Sequence, residues 1–188
     1  MSTQTKMFFT VMLLVGLVTA GCSQEPKSAT GHVMKTHLTS AAFADGQPIP
    51  VKYTADALDI SPPLAWSNAP AGAKSFALIA DDPDAPAGTW VHWVIYDLRP
   101  AIKSLGEDQF KVAQFKDGAK QGLNDFKKTG YNGPAPPPGK AHRYYFKLYA
   151  LDRVTGLAPN ATKADLLKAM DGHVLGEGKL MGTYQRQH

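Results

Sequence analysis

The chain has 188 residues and one cysteine, Cys22. Beyond that position no thiol is available for a nucleophile or a metal ligand. Excess charge of one sign is also scarce: the formal net charge is +4, and one of those charges, Lys6, sits in the leader. There is no basic helix, no platform of interleaved aromatics and no internal repeat, which excludes nucleic acid as a partner and a solenoid as an architecture. A His-Glu-x-x-His pair and a Gly-x-Ser-x-Gly elbow are missing as well, so the common zinc-protease and serine-hydrolase signatures do not apply. The longest apolar run, Met7 to Leu17, is too short to span a bilayer.

That run has the make-up of a signal peptide, with Lys6 before it and Val18-Thr19-Ala20-Gly21 leading to Cys22. Small residues just ahead of a lone cysteine resemble a lipobox, in which the thiol is diacylated and the chain is cut before it. Thr19 stands where a large aliphatic residue is usual. An ordinary secretory leader with an incidental cysteine is the alternative. An exported unpaired thiol invites stray oxidation, and acylation removes it. Burial of acyl chains at about 0.8 kcal/mol per methylene makes two or more chains a stable anchor. Ser23 follows where Asp would resemble an inner-membrane retention signal. The expectation is therefore a cell-envelope lipoprotein at the periplasmic face of the outer membrane, anchored through Cys22. Residues 1–21 are then the signal peptide, 22–35 a small-residue and polar tether, and 36–188 the domain.

Within the domain, short strand-like segments are broken by Pro and Gly: Val51 to Thr54, Ser75 to Asp81, Trp90 to Leu98 and Arg143 to Leu151. This spacing predicts a mainly β protein, a Greek-key antiparallel β-sandwich with long loops. Gly118 to Lys140 is the longest loop, stiffened by prolines. One helix is expected late, capped by Thr162 with Asp165 three residues on, carrying Leu166, Leu167 and Met170 on one face and ended by Gly172.

Strand phase singles out polar residues. Phe76, Leu78 and Ala80 share a face that Asp82 continues. His92 alternates in phase with Trp90, Val94 and Tyr96, and His142 in phase with Tyr144, Phe146, Leu148 and Ala150. A carboxylate or imidazole on an apolar face is costly unless it is paired or used. His37, His173 and His188 have no such placement and read as surface or packing residues. Trp66 and Trp93 read as core aromatics.

The Asp82-Pro83-Asp84-Ala85-Pro86 run, the Trp90-Val91-His92-Trp93 strand and the Gly133 to Phe146 loop and strand resemble the phosphatidylethanolamine-binding protein family, also called Raf kinase inhibitor-like proteins. Ser61 to Trp66, Gln121 to Phe126 and Gly182 to Arg186 resemble its bacterial branch. The resemblance implies that Asp82, His92, His142 and Tyr144 lie at a ligand, with Pro134 to Pro138 shaping the rim. It also implies a cis Ala85–Pro86 bond and a second short helix around His173 to Met181, where Gly176 and Gly178 replace the usual alanines at about 1 kcal/mol each. Asp84 is expected to close the turn while Asp82 faces the ligand, and Arg143 to form an ion pair.

Converging donors of this kind suit a small anionic ligand or a phospholipid head group. The function implied is that of a binding or modulator protein without a cofactor. Two other readings remain open: an inhibitor of a protein partner through a rim near Tyr131 and Pro136, and a His/Asp metal-dependent or acid–base enzyme.

Overall fold

The structure, a computed structural model, describes residues 33–186. Among these, nine strands run in chain order as β1 (Met34–Lys35), β2 (His37–Thr39), β3 (Leu64–Ser67), β4 (Ser75–Asp82), β5 (Trp90–Leu98), β6 (Ser104–Leu105), β7 (Lys120–Gln121), β8 (His142–Leu151) and β9 (Val174–Tyr184). They form a six-stranded sheet of order β1-β9-β8-β4-β5-β7 and a three-stranded sheet of order β2-β3-β6. The pairings are antiparallel except that of β1 with β9. The mainly β, two-sheet architecture expected from the strand spacing is what the chain forms.

Its large sheet is covered on both sides, which is why β4 is buried along its whole length. One face meets the small sheet through Phe76, Leu78, Ala80, Trp93, Ile95, Tyr144, Phe146 and Leu148. The other meets α1 (Lys163–Met170) through Ala77, Ile79, Val91, Val94 and Tyr96, against Leu166 and Met170. Alternation of residues along β4 and β8 assigns them to these two cores. The helix begins as expected, with a reciprocal capping box between Thr162 and Asp165. Gly172, at φ +76°, follows its end.

Val51 to Thr54, read as strand-like, forms a 3₁₀ turn at Val51–Tyr53 instead. Three further expectations are corrected. The segment from His173 to Met181 is not a second helix: Val174–Tyr184 is the long strand β9, paired with β8 along its length. Its glycines serve close approach rather than helix. A Cβ on Gly176 would stand 2.8 Å from Pro70 Cγ, and one on Gly178 would stand 2.8 Å from the Thr36 carbonyl oxygen. Without those side chains, neighbouring segments can lie directly on the strand. Secondly, Met34 and Lys35, read as the end of the tether, pair with Gly176 and Glu177. Thirdly, no cis peptide bond occurs among the described residues, so Ala85–Pro86 is trans. The turn there is shaped instead by the Asp82 side chain, whose Oδ1 accepts the Asp84 N–H at 2.8 Å.

Candidate functional site

Strand phase alone would put His92 on the wrong side of the sheet. Ala80 pairs with Trp93 but Asp81 pairs with Val91, so His92 is the extra residue of a β-bulge. A bulge locally resets the two-residue alternation and re-aims a side chain. Val94 and Tyr96, expected on the face of His92, line the helix-side core. His92 itself packs edge-on against Tyr144 of the inter-sheet core, with 5.3 Å between ring centroids. The bulge therefore puts this histidine on the face that carries Tyr144.

Asp82 lies at the end of β4 and His142 at the start of β8, two adjacent antiparallel strands. His142 Nδ1 lies 2.8 Å from Asp82 Oδ2, and both side chains are buried. Because the acceptor is a carboxylate, Nδ1 carries the proton and Nε2 is the atom left for a ligand. Both oxygens of Asp82 are engaged, one by His142 and one by the Asp84 N–H. Asp82, not Asp84 as expected, thus supplies the turn hydrogen bond, while it also holds His142. Asp84 instead takes the Arg143 fork, with Nη2 at 2.7 Å and Nε at 2.9 Å, and the Arg143 backbone N–H at 2.9 Å. These hydrogen bonds from Arg143 hold the Asp84 carboxyl well below the usual carboxylate range. Arg143 is thus in an ion pair, as expected.

His92 is fixed by the long loop. Its Nδ1 lies 2.7 Å from the Asn132 carbonyl oxygen, and the Asn132 N–H returns a bond to the His92 carbonyl at 3.1 Å. An acceptor carbonyl requires the proton on Nδ1, so Nε2 of the neutral ring presents a lone pair. Burial lowers the pKa of His92, which keeps the ring neutral. Phe126 packs edge-on against it, with 5.3 Å between centroids. Asn124 Nδ2 holds the loop by donating to the Gly130 carbonyl and to Asn132 Oδ1, at 3.0 and 2.9 Å. Asn132 Nδ2 and the Gly133 N–H both donate to Asp59, at 2.8 and 2.6 Å.

Tyr144 stands two residues after His142 on β8 and packs against His92. Its hydroxyl is buried without a hydrogen-bond partner among the described residues. Burial, reinforced by the nearby Asp82 charge, pushes its pKa up, although no hydrogen bond of good geometry closes between the two. The phenol stays protonated and has a donor to give. Pro134 is buried, and its carbonyl accepts the Ala55 N–H at 3.0 Å, so it forms part of the wall. Tyr131 and Pro136, near which a partner-contacting rim is expected, are both buried, and the Tyr131 hydroxyl donates to the Tyr53 carbonyl. Cys22 lies outside the described residues.

Asn124 and Phe126 fall in a stretch whose resemblance was noted, but no reading assigned them to the site. Asp59, which holds the loop from more than seventy positions away, has no sequence signal. Among the described residues, no three His, Cys, Asp or Glu side chains stand close enough together to hold a metal ion. Clefts of about 380 and 830 Å³ open elsewhere, the smaller beside α1. The larger is bordered by Asp81, whose carboxylate is paired with Lys163 at 2.5 Å and Lys147 at 3.4 Å. Donor chemistry rather than volume marks the histidine site.

The sequence profile of the family described as phosphatidylethanolamine-binding protein matches residues 39–185. The chain belongs to the phosphatidylethanolamine-binding protein family. Among its relatives, a UPF0098 protein of Methanothermobacter thermautotrophicus is 52% identical over 153 residues, covering 81% of this chain and 98% of its own. One from Aquifex aeolicus is 46% identical over 161 residues, covering 85% and 92%. Solved structures agree. A phosphatidylethanolamine-binding protein homologue from Chlamydia trachomatis superposes with a TM-score of 0.74 at 45% identity, over 81% of this chain and 98% of that one. E. coli YbcL, described as a member of the mammalian branch, gives 0.71 at 29% identity, over 81% and 99%. In this member of the phosphatidylethanolamine-binding protein family, the matched region takes in β3 to β9 and every site residue named above except Cys22.

Proposed function

We propose that the chain is an envelope lipoprotein that works as a binding or modulator protein, with a pocket for a small anion such as phosphate or a phosphate-ester head group. The observation that carries this reading is the buried, unpartnered hydroxyl of Tyr144 set beside the Asp82–His142 pair and neutral His92. A buried donor without an acceptor costs about 1–3 kcal/mol, and a ligand oxygen relieves that cost. His142, bonded to Asp82 through Nδ1, leaves Nε2 for the ligand. His92 has only a lone pair to offer until a proton arrives, so its own contact to an anion forms only together with proton uptake.

Calorimetry with inorganic phosphate and with phosphoethanolamine tests the pocket. Because burial lowers the His92 pKa, affinity rises as pH falls from about 6.5, the ordinary histidine value, towards about 5. Repeating the titration in buffers of different ionisation enthalpy shows net proton uptake, and His92→Gln flattens the pH dependence. Equal affinity at both pH values removes His92 from the reading. For the anchor, Cys22→Ala moves the protein from the membrane to the soluble fraction. Unchanged fractionation with no acyl mass on Cys22 rules out the lipoprotein reading.

A further inference from the structure

Asp56 and Arg186, residues 130 positions apart, pair near enough to the histidine site for the Arg186 charge to act on Tyr144. Strands β8 and β9 set His142 opposite Tyr184 and Tyr144 opposite Gly182. Two-residue alternation past Tyr184 then brings Arg186 to the face that carries His142. From the other side comes the loop after the Val51–Tyr53 turn. Its Ala55 N–H bonds Pro134, and the Tyr53 backbone presses on Gly133. Asp56 on this loop accepts from the Tyr184 hydroxyl at 2.8 Å and from Nε and Nη2 of the Arg186 guanidinium, with Nε at 2.9 and 3.0 Å. Gln185 donates to the Gly139 carbonyl, tying the same strand end to the proline-rich loop. A ring therefore runs from His142 through Tyr184, Arg186 and Asp56 to Pro134, Asn132 and His92.

The charges around this ring are uneven. Arg143 is taken by Asp84 on the far side of the turn, and Asp82 places a carboxylate beside any anion that enters. The Arg186 guanidinium is half-buried and permanently charged, and its field opposes that of Asp82 at the Tyr144 hydroxyl. A guanidinium fork also matches the geometry of phosphate oxygens.

We propose that Arg186 is the charge-selecting residue of the pocket: the ligand competes with Asp56 for its guanidinium, so a dianionic phosphate monoester is preferred over a monoanion of similar shape. This deepens the anion-pocket reading and rests on it. The test is calorimetry on the full-length protein at pH 8, with inorganic phosphate as the dianion and dimethyl phosphate as the monoanion. Arg186→Gln weakens phosphate binding about tenfold, the size of one lost charge-assisted contact, and changes dimethyl phosphate much less. Asp56→Asn breaks the same ion pair yet binds phosphate at least as tightly as the unmodified protein. Equal losses in the two variants make the pair a structural latch and overturn the proposal, as does phosphate binding that survives Arg186→Gln. Absence of phosphate binding by the unmodified protein overturns the pocket reading along with it.

Discussion

Tyr144 separates binding from stability at a single atom. Its hydroxyl is buried without a protein partner, so its removal takes away a desolvation cost and no bond. Tyr144→Phe should leave the ligand-free protein as stable as before, or more stable by about 1 kcal/mol, while phosphate affinity falls. Urea midpoints and calorimetry on the same samples check this, and a large loss of stability would mean that the hydroxyl holds the fold. His92 gives the opposite coupling. Burial depresses its folded-state pKa, so the unfolded chain takes up the proton first. Stability is then complete above about pH 6.5, the unfolded value, and declines as pH falls below it. His92→Gln removes that decline, seen as a flatter urea midpoint between about pH 6.5 and 5. Phosphate added to the unmodified protein should stabilise it more at the acid end of the same range.

At the scale of an element, the segment from Asn124 to Pro134 positions His92 through the Asn132 carbonyl, and it can do so only if Gly133 has no side chain. A Cβ there would lie 2.2 Å from the Tyr53 carbonyl oxygen and 2.7 Å from Thr54 Cα, both backbone atoms that cannot swing aside. Gly133→Ala should therefore cost about 1–3 kcal/mol by overpacking. It should also displace the Asn132 carbonyl from His92, so phosphate affinity falls more than in a control of equal stability loss elsewhere in the sheet. Thermal midpoint and phosphate titration measured together decide the matter. A variant that loses stability but binds normally would show that the segment does not position the ring. The bulge in β5 belongs to this scale as well: it belongs to the β4–β5 pair and decides which face His92 serves.

Across the whole molecule, tyrosines tie loops to the sandwich and make it sensitive to alkali. Burial and the Glu107 carboxylate push the Tyr53 pKa up to about 12, and burial raises Tyr131 well above the ordinary value. Both phenols keep their protons in the folded state at a pH where the unfolded chain, with a tyrosine pKa of about 10, has begun to lose them. Their contribution is fully present below about pH 10 and is lost as pH rises from there through the folded values. Urea midpoints should fall across that range, with part of the tyrosinate absorbance appearing only near unfolding. Tyr53→Phe should shift the decline, because Tyr53 bonds Glu107 at 2.6 Å. A tyrosinate titration complete at ordinary pH with the fold intact would contradict this.

Local signals were enough for much of this protein. Alternation of large apolar residues marked β8 and both its faces, the Thr162 and Asp165 pair marked the start of α1, and Asp82, His142 and Tyr144 could be placed at strand ends from phase and motif. Each of these depends on residues a few positions apart, where period and hydrogen-bond reach act directly. The face of His92 could not be read that way, because the bulge arises only when β4 and β5 pair. Nor could β9, whose glycines favour neither helix nor strand and make sense only once Thr36 and Pro70 lie against them. The cluster of Asp56, Tyr184 and Arg186, and the hold of Asp59 on the loop, join segments far apart in sequence. The chain by itself determined which groups were available and which elements carried them. Only the tertiary structure decided which of them met, because strand pairing and backbone contact are relations between segments.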